Sequence, residues 1–160
     1  MCISLWKYDR GWGQVYCNLT FKGTADSFTA MLNVIKPSSG SSVAIIGTGV
    51  VGLAALMALK MSKTTPQTVI AVDIVPERLE LAKSLGASHT TNSRQTPDLQ
   101  KSLMEITKGE GVDGCIDLTG RPDVVKSLLK VIAKKGKVVT VGVSDVSSLR
   151  DLSYGTELIV

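Results

Sequence analysis

Residues Val43 to Asp73 read VAIIGTGVVGLAALMALKMSKTTPQTVIAVD: an apolar run, a glycine turn, an apolar helical pattern and a second apolar run ending on one acid. That order predicts a strand, a turn, a helix and a strand. Ser42-Val43-Ala44-Ile45-Ile46 has the β-branched density of a strand covered on both faces, and it meets Gly47-Thr48-Gly49-Val50-Val51-Gly52 with no spacer. The glycines therefore stand where a strand becomes a helix. Gly47 would allow the tight turn, Gly49 would let the backbone approach a pyrophosphate, and Gly52 would let the helix pack closely. The unpaired N–H groups of that helix's first turn suit an anion. From Leu53 to Leu59 the pattern is apolar nearly all round, as for a helix covered on several sides, and Lys60 ends it.

Thr68-Val69-Ile70-Ala71-Val72 is the second strand, and Asp73 falls 21 residues after Gly52, close to the ~20 expected of a carboxylate that holds an adenosine ribose. An acid there accepts from both ribose hydroxyls and repels a 2′-phosphate, so the expected ligand is NAD in preference to NADP. A glycine triplet alone is a weak signal, because such turns end many strands. Here the flanking strand, the helix and the spaced acid agree.

Downstream, Pro76 to Gly86 carries a proline at the first helical position, an early acid in Glu77, a late lysine in Lys83 and a terminal glycine, which mark a helix. His89-Thr90-Thr91 is a short third strand. Thr96-Pro97-Asp98 opens a helix with Leu99, Leu103 and Ile106 on its apolar face. Gly114 to Leu118 is a fourth strand, and Pro122 opens a helix built on Val124, Val125, Leu128, Leu129 and Ile132 that Gly136 closes. Lys137 to Val141 is a fifth strand, and Leu158-Ile159-Val160 the start of a sixth. Alternation of this kind predicts an α/β fold of Rossmann type, a doubly wound parallel sheet in the order 3-2-1-4-5, with the ligand crevice where strands 1 and 4 diverge.

Upstream, Phe28, Met31, Leu32 and Ile35 recur at helical spacing between Ala25 and Ile35, with Asp26 or Ser27 as cap and Pro37-Ser38-Ser39-Gly40 as the stop. Residues 1 to 22 hold both tryptophans and show no sustained period. The expected organisation is one domain, residues 25–160, behind a short irregular N-terminal segment, residues 1–24.

A chain of 160 residues that is 44% hydrophobic can bury one good core and no more than an appendage besides. The net charge of +4 is spread along the chain and aromatics make up only 4%, a pattern of solvated surface that argues against nucleic acid. Three cysteines, Cys2, Cys17 and Cys115, lack metal or disulfide spacing, which fits a reducing compartment. Neither a secretory signal nor a membrane span is legible. The expectation is a soluble, cytoplasmic protein.

Taken together, Lys36-Pro37-Ser38-Ser39-Gly40-Ser41-Ser42-Val43-Ala44-Ile45-Ile46-Gly47 and Val72-Asp73-Ile74-Val75-Pro76-Glu77-Arg78-Leu79-Glu80-Leu81-Ala82-Lys83-Ser84-Leu85-Gly86-Ala87 resemble the coenzyme-binding domain of the medium-chain, zinc-type alcohol dehydrogenases, over about residues 25 to 160 and most closely aryl-alcohol-type members. Gly111-Val112-Asp113 and Val141-Gly142-Val143 fit the same pattern. By this resemblance Val51 would pack on the nicotinamide, Asp73 with Arg78 would hold the adenosine ribose, Thr119 and Arg121 would follow strand 4 where the family passes the adenine and ribose, and Val141 and Val143 would present backbone groups to the carboxamide, with Gly142 between them also counted as cofactor-binding.

The resemblance also implies oxidoreductase chemistry on an alcohol or aldehyde, assisted by a zinc ion that polarises the alcohol oxygen. In the family that zinc is held partly by a separate N-terminal domain, and about 40 residues before the first strand leave no room for one. Lys22 stands where the family's remaining zinc cysteine would be, and Asp26-Ser27 replaces its Thr-Gly pair. No zinc site and no catalytic residue are therefore expected in this chain. Activity would need a catalytic domain supplied from elsewhere, and the alternative is a non-catalytic NAD(H)-binding module or a remnant. The family's sixth strand pairs between subunits, so a homodimer is an option that an incomplete sheet edge here would weaken.

Overall fold

A computed structural model describes residues 2–8, 11–18, 30–96 and 98–141. The first element is a hairpin of β1 (Cys2–Tyr8) and β2 (Gly11–Asn18), paired antiparallel from Cys2 with Cys17 to Tyr8 with Gly11. This corrects the expectation of an irregular N-terminal segment. The strands escape notice because β2 carries two glycines, which weaken strand patterning. The intervening residues, Asp9-Arg10, also lack the Asn-Gly or Asp-Gly signature of a two-residue hairpin.

Of the helix expected from Ala25, the described part is α1 (Ala30–Ile35), one wide turn with π-type spacing in which the Lys36 N–H donates to the Met31 carbonyl at 3.1 Å. Lys36 then takes a left-handed φ of +52° and the chain turns into β3 (Ser42–Ile46), buried along its whole length. After β3 come α2 (Val50–Met61), β4 (Thr68–Asp73), α3 (Pro76–Ser84), β5 (His89–Asn92), α4 (Leu99–Ile106), β6 (Val112–Asp117), α5 (Pro122–Val131) and β7 (Ile132–Val141). Their starts follow from local chemistry. Pro76 and Pro122 occupy first-turn positions, where a missing N–H costs nothing, and the Asp98 carboxylate caps α4 by accepting from the Lys101 N–H at 2.9 Å.

Five strands run parallel in the order β7-β6-β3-β4-β5, as the alternation predicted, and the hairpin extends the sheet to seven in the order β1-β2-β7-β6-β3-β4-β5. β2 lies parallel to β7, from Gln14 opposite Lys137 to Asn18 opposite Val141. The flank of β7 is thus paired with β2. The last strand also starts earlier than Lys137. α5 stops at Val131, Ile132 already faces Val112, and β7 takes five steps to Lys137 where β6 takes two to Gly114. Lys135, with φ +65°, absorbs part of that excess.

The sheet separates two cores, as the doubly wound reading requires. Val43, Ile45, Ala71, Ile116 and Val139 face α1, α2 and α3, whereas Ala44, Ile46, Ile70, Val72, Cys115 and Val138 face α4 and α5. Alternate residues of one strand enter different cores, which is why β3 is apolar from Val43 to Ile46. At the amino ends of the strands the Asp113 carboxylate accepts from both the N–H and the hydroxyl of Ser42 at 2.8 Å, tying β6 to β3. No helix among the described residues is long and apolar enough to cross a membrane.

Candidate functional site

The carboxyl ends of β3, β4 and β6 open on a cleft of about 410 Å³, at the point where strand order reverses. Its floor is the glycine turn. Gly47 has φ +94°, open to glycine at little cost, and its N–H donates to the Val72 carbonyl at 2.8 Å, joining the turn to β4. A Cβ on Gly52 would overlap the Gly47 carbonyl oxygen, so the close approach reserved for this glycine is between α2 and the turn itself. A Cβ on Gly49 would meet none of the described residues within 4 Å. The three positions thus differ as the motif requires: one by torsion, one by contact and one by open space toward a ligand.

α2 begins at Val50, inside the motif, with Gly49 as its N-cap. That cap has no side-chain bond and the first turn holds no acid. Val50, Val51 and Gly52 line the cleft, and the helix end offers donors and partial positive charge there.

Across the cleft Asp73, at the end of β4, is only 7% exposed. Its Oδ1 accepts from the N–H groups of Ile74 and Val75 at 2.7 and 3.0 Å, and its Oδ2 from the N–H and hydroxyl of Thr48 at 2.6 and 2.9 Å. Burial pushes this carboxyl's pKa up, but the bonds from Thr48, Val75 and Ile74 outweigh burial and hold it below the usual carboxylate value. The acid is therefore a fixed anion. Arg78 lines the same cleft with Nη1 4.0 Å from Asp73 Oδ2, its side chain half-exposed.

The opposite wall comes from β6 and the turn before α5. Thr119 and Arg121 both line the cleft. The Thr119 N–H and hydroxyl donate to Asp117 Oδ1 at 3.1 and 2.7 Å. The Arg121 guanidinium is held by Asp123, with Nε donating to Oδ1 at 3.1 Å and Nη2 to Oδ2 at 2.8 Å. That pair raises the arginine's pKa and lowers the aspartate's. Asp117 caps this turn from a fully buried position; burial raises its pKa and the bonds from Thr119 counter only part of that. Its Oδ2, and the hydroxyl of Thr140 opposite it on β7, find no partner among the described residues. Cys115 is fully buried, and burial, with the Asp117 charge, pushes its thiol well above the usual value, in line with an inert role.

Val141 ends β7 buried and is not part of the cleft lining. Gly142 and Val143 lie outside the described residues, as do Lys22, Asp26, Ser27 and Leu158 to Val160. Sequence reading missed the apolar rim of the cleft, made by Leu99, Leu118 and Val124. Leu99 and Val124 appeared in it only as core faces of helices. It also missed the clamp of Thr48 on Asp73, which joins residues 25 apart and leaves no trace in periodicity. Among the described residues no three His, Cys, Asp or Glu side chains come together to hold a metal, so no zinc site is built from them. His89 is exposed on the edge strand β5, its Nδ1 3.0 Å from the Ser88 hydroxyl.

A doubly wound sheet whose first crossover opens on a glycine turn, facing a buried acid one strand away, defines a Rossmann-type dinucleotide-binding domain. Comparison with known proteins narrows this class. The model of the family "zinc-binding dehydrogenase" matches residues 50–156. An NAD-dependent alcohol dehydrogenase of Sulfurisphaera tokodaii is 33% identical over 137 residues, which are 85% of this chain and 38% of that protein. Alcohol dehydrogenase 3 of Hordeum vulgare is 40% identical over 96 residues, 59% of this chain and 24% of that one. Among solved structures, benzyl alcohol dehydrogenase of Acinetobacter calcoaceticus superposes with a TM-score of 0.71 at 33% identity, over 86% of this chain and 41% of the other. The chain belongs to the zinc-binding dehydrogenase family and corresponds to its coenzyme-binding domain. It spans between 24% and 41% of the length of these three relatives.

Proposed function

We propose that this chain binds NAD(H), in preference to NADP(H), in the switch-point cleft and serves an alcohol dehydrogenase-like oxidoreductase as its coenzyme-holding part. The supporting observation is the pairing, across one cleft, of an open Gly49 at an uncapped helix start with a buried, ionised Asp73. In this reading the turn Gly47-Thr48-Gly49 and the first amides of α2 hold the pyrophosphate, and Val51 packs on the nicotinamide. Asp73 and Arg78 take the adenosine ribose, Thr119 and Arg121 flank its adenine side, and Val141, Gly142 and Val143 receive the carboxamide. Bound there, the nicotinamide supplies a hydride acceptor or donor for an alcohol–aldehyde pair. The cysteine usage supports a cytoplasmic setting.

Preference for NAD follows from charge. Two like charges about 4 Å apart repel by about 1 kcal/mol in water and about 4 kcal/mol near a protein surface, so a 2′-phosphate beside Asp73 is disfavoured by about fivefold or more. Arg78 offsets part of this. Titration with NADH and NADPH, followed by nicotinamide fluorescence, tests the reading: saturable enhancement with NADH and weaker binding of NADPH are expected, and no response to either would refute it.

A second reading is an NAD(H)-holding module without chemistry of its own; it draws on the finding that no three His, Cys, Asp or Glu side chains among the described residues come together to hold a metal. Turnover of aryl and aliphatic alcohols by the purified chain, with metal analysis, separates the two. Activity would remove the second.

A further inference from the structure

A carboxylate accepts about four hydrogen bonds, two at each oxygen. The chain already supplies Asp73 with four: the Ile74 and Val75 amides on Oδ1, and the Thr48 amide and hydroxyl on Oδ2. Two ribose hydroxyls arriving from the cleft therefore meet an acceptor with no capacity to spare. At least one donor must yield before either hydroxyl can bond. Three of the four are main-chain amides, fixed by the turns that follow β3 and β4. The fourth is a hydroxyl on a rotatable bond. Thr48 is fully buried, whereas Asp73 lines the cleft, so the hydroxyl can turn away from the carboxylate without entering the space a ligand would fill.

Building on the dinucleotide reading above, we infer that Thr48 is a positioning and affinity-setting residue: its hydroxyl stands in for a ribose hydroxyl at Asp73 Oδ2 and gives up that bond when a nucleotide diol binds. The amide of Thr48, at 2.6 Å, keeps the carboxylate in place throughout. The arrangement satisfies a buried anion when no ligand is present, and it weakens binding by the strength of the bond that must be released. Hydrogen bonds to charged groups are among the stronger ones in proteins, so the effect is large enough to read in a titration.

The test is Thr48→Val, which keeps volume and main-chain amide and removes the hydroxyl. We expect NADH to bind about three- to tenfold more tightly than to the parent chain. The ligand-free variant should melt lower, while the NADH-saturated forms melt together. The gain should disappear with an NAD analogue lacking the 2′- and 3′-hydroxyls of the adenosine ribose, a readout that a merely structural role would not move. Thr48→Ala carries the same expectation should the valine not fold, and Thr48→Ser, which restores the hydroxyl, should return to parental affinity. Unchanged or weaker NADH binding by the valine and alanine variants, or an equal gain with the dideoxy analogue, overturns the role of Thr48 alone. A parent chain that binds no NADH overturns the dinucleotide reading as well.

Discussion

Two buried aspartates, one lining the cleft and one capping the turn on its opposite wall, sit on opposite sides of their ordinary titration. Asp73 is held below the carboxylate range by its four donors, so its contribution to stability is complete above the unfolded carboxyl pKa of about 3.9 and is lost as pH falls through the lower folded value. Asp117 is raised by burial, so it carries a penalty above its folded pKa that disappears as pH falls below it. Asp117→Asn keeps an acceptor for both Thr119 bonds and removes a buried charge whose second oxygen has no described partner. It should stabilise the fold by about 1 kcal/mol at pH 7, a gain that thermal melts should show shrinking toward pH 4. Asp73→Asn should do the reverse, lowering stability by about 2 kcal/mol because an amide NH₂ then faces main-chain donors. The same change should weaken NADH by tenfold or more and NADPH by much less, and equal losses in paired titrations would remove the ribose role.

At the level of the elements, the glycine turn separates folding from binding cleanly enough to test. Gly49 has an ordinary φ of −69° and open space around an added Cβ, so Gly49→Ala should melt with the parent chain yet lose most NADH affinity, because its methyl group would stand where a pyrophosphate must approach. Gly52→Ala forces a Cβ into the Gly47 carbonyl and should cost about 3 kcal/mol of stability. Denaturant titration alongside ligand titration distinguishes the two. This turn was the most legible part of the chain, because local torsion, strand burial and helix start all act within Val43 to Gly52. The five parallel strands and their order were legible for the same reason: each crossover carries its own proline, glycine or capping signal. What periodicity could not show were effects that join distant residues. The early start of β7 is set by pairing of Ile132 with Val112, and the wide turn of α1 brings Ile35 against Gly114, where a Cβ would overlap its side chain. The Thr48 clamp and the Asp123 grip on Arg121 are likewise side-chain choices, with no period of their own.

For the whole molecule the hairpin decides what the sheet presents to other chains. β2 occupies the flank of β7, and β1 becomes the outer strand. Deleting residues 1–18 should uncover a buried parallel strand whose free amides and carbonyls invite pairing, and sedimentation velocity should show concentration-dependent association that the parent chain lacks. The arrangement also imposes an order of events on synthesis. About 120 residues separate Gln14 from its partner Lys137, roughly 6–25 s of translation at ~5–20 residues per second. A two-stranded ribbon on its own is marginal in water. This ribbon leaves the ribosome well before its docking strand and must wait, unsupported, until β7 has emerged, which makes it a natural point of attack for chaperones and proteases on the nascent chain.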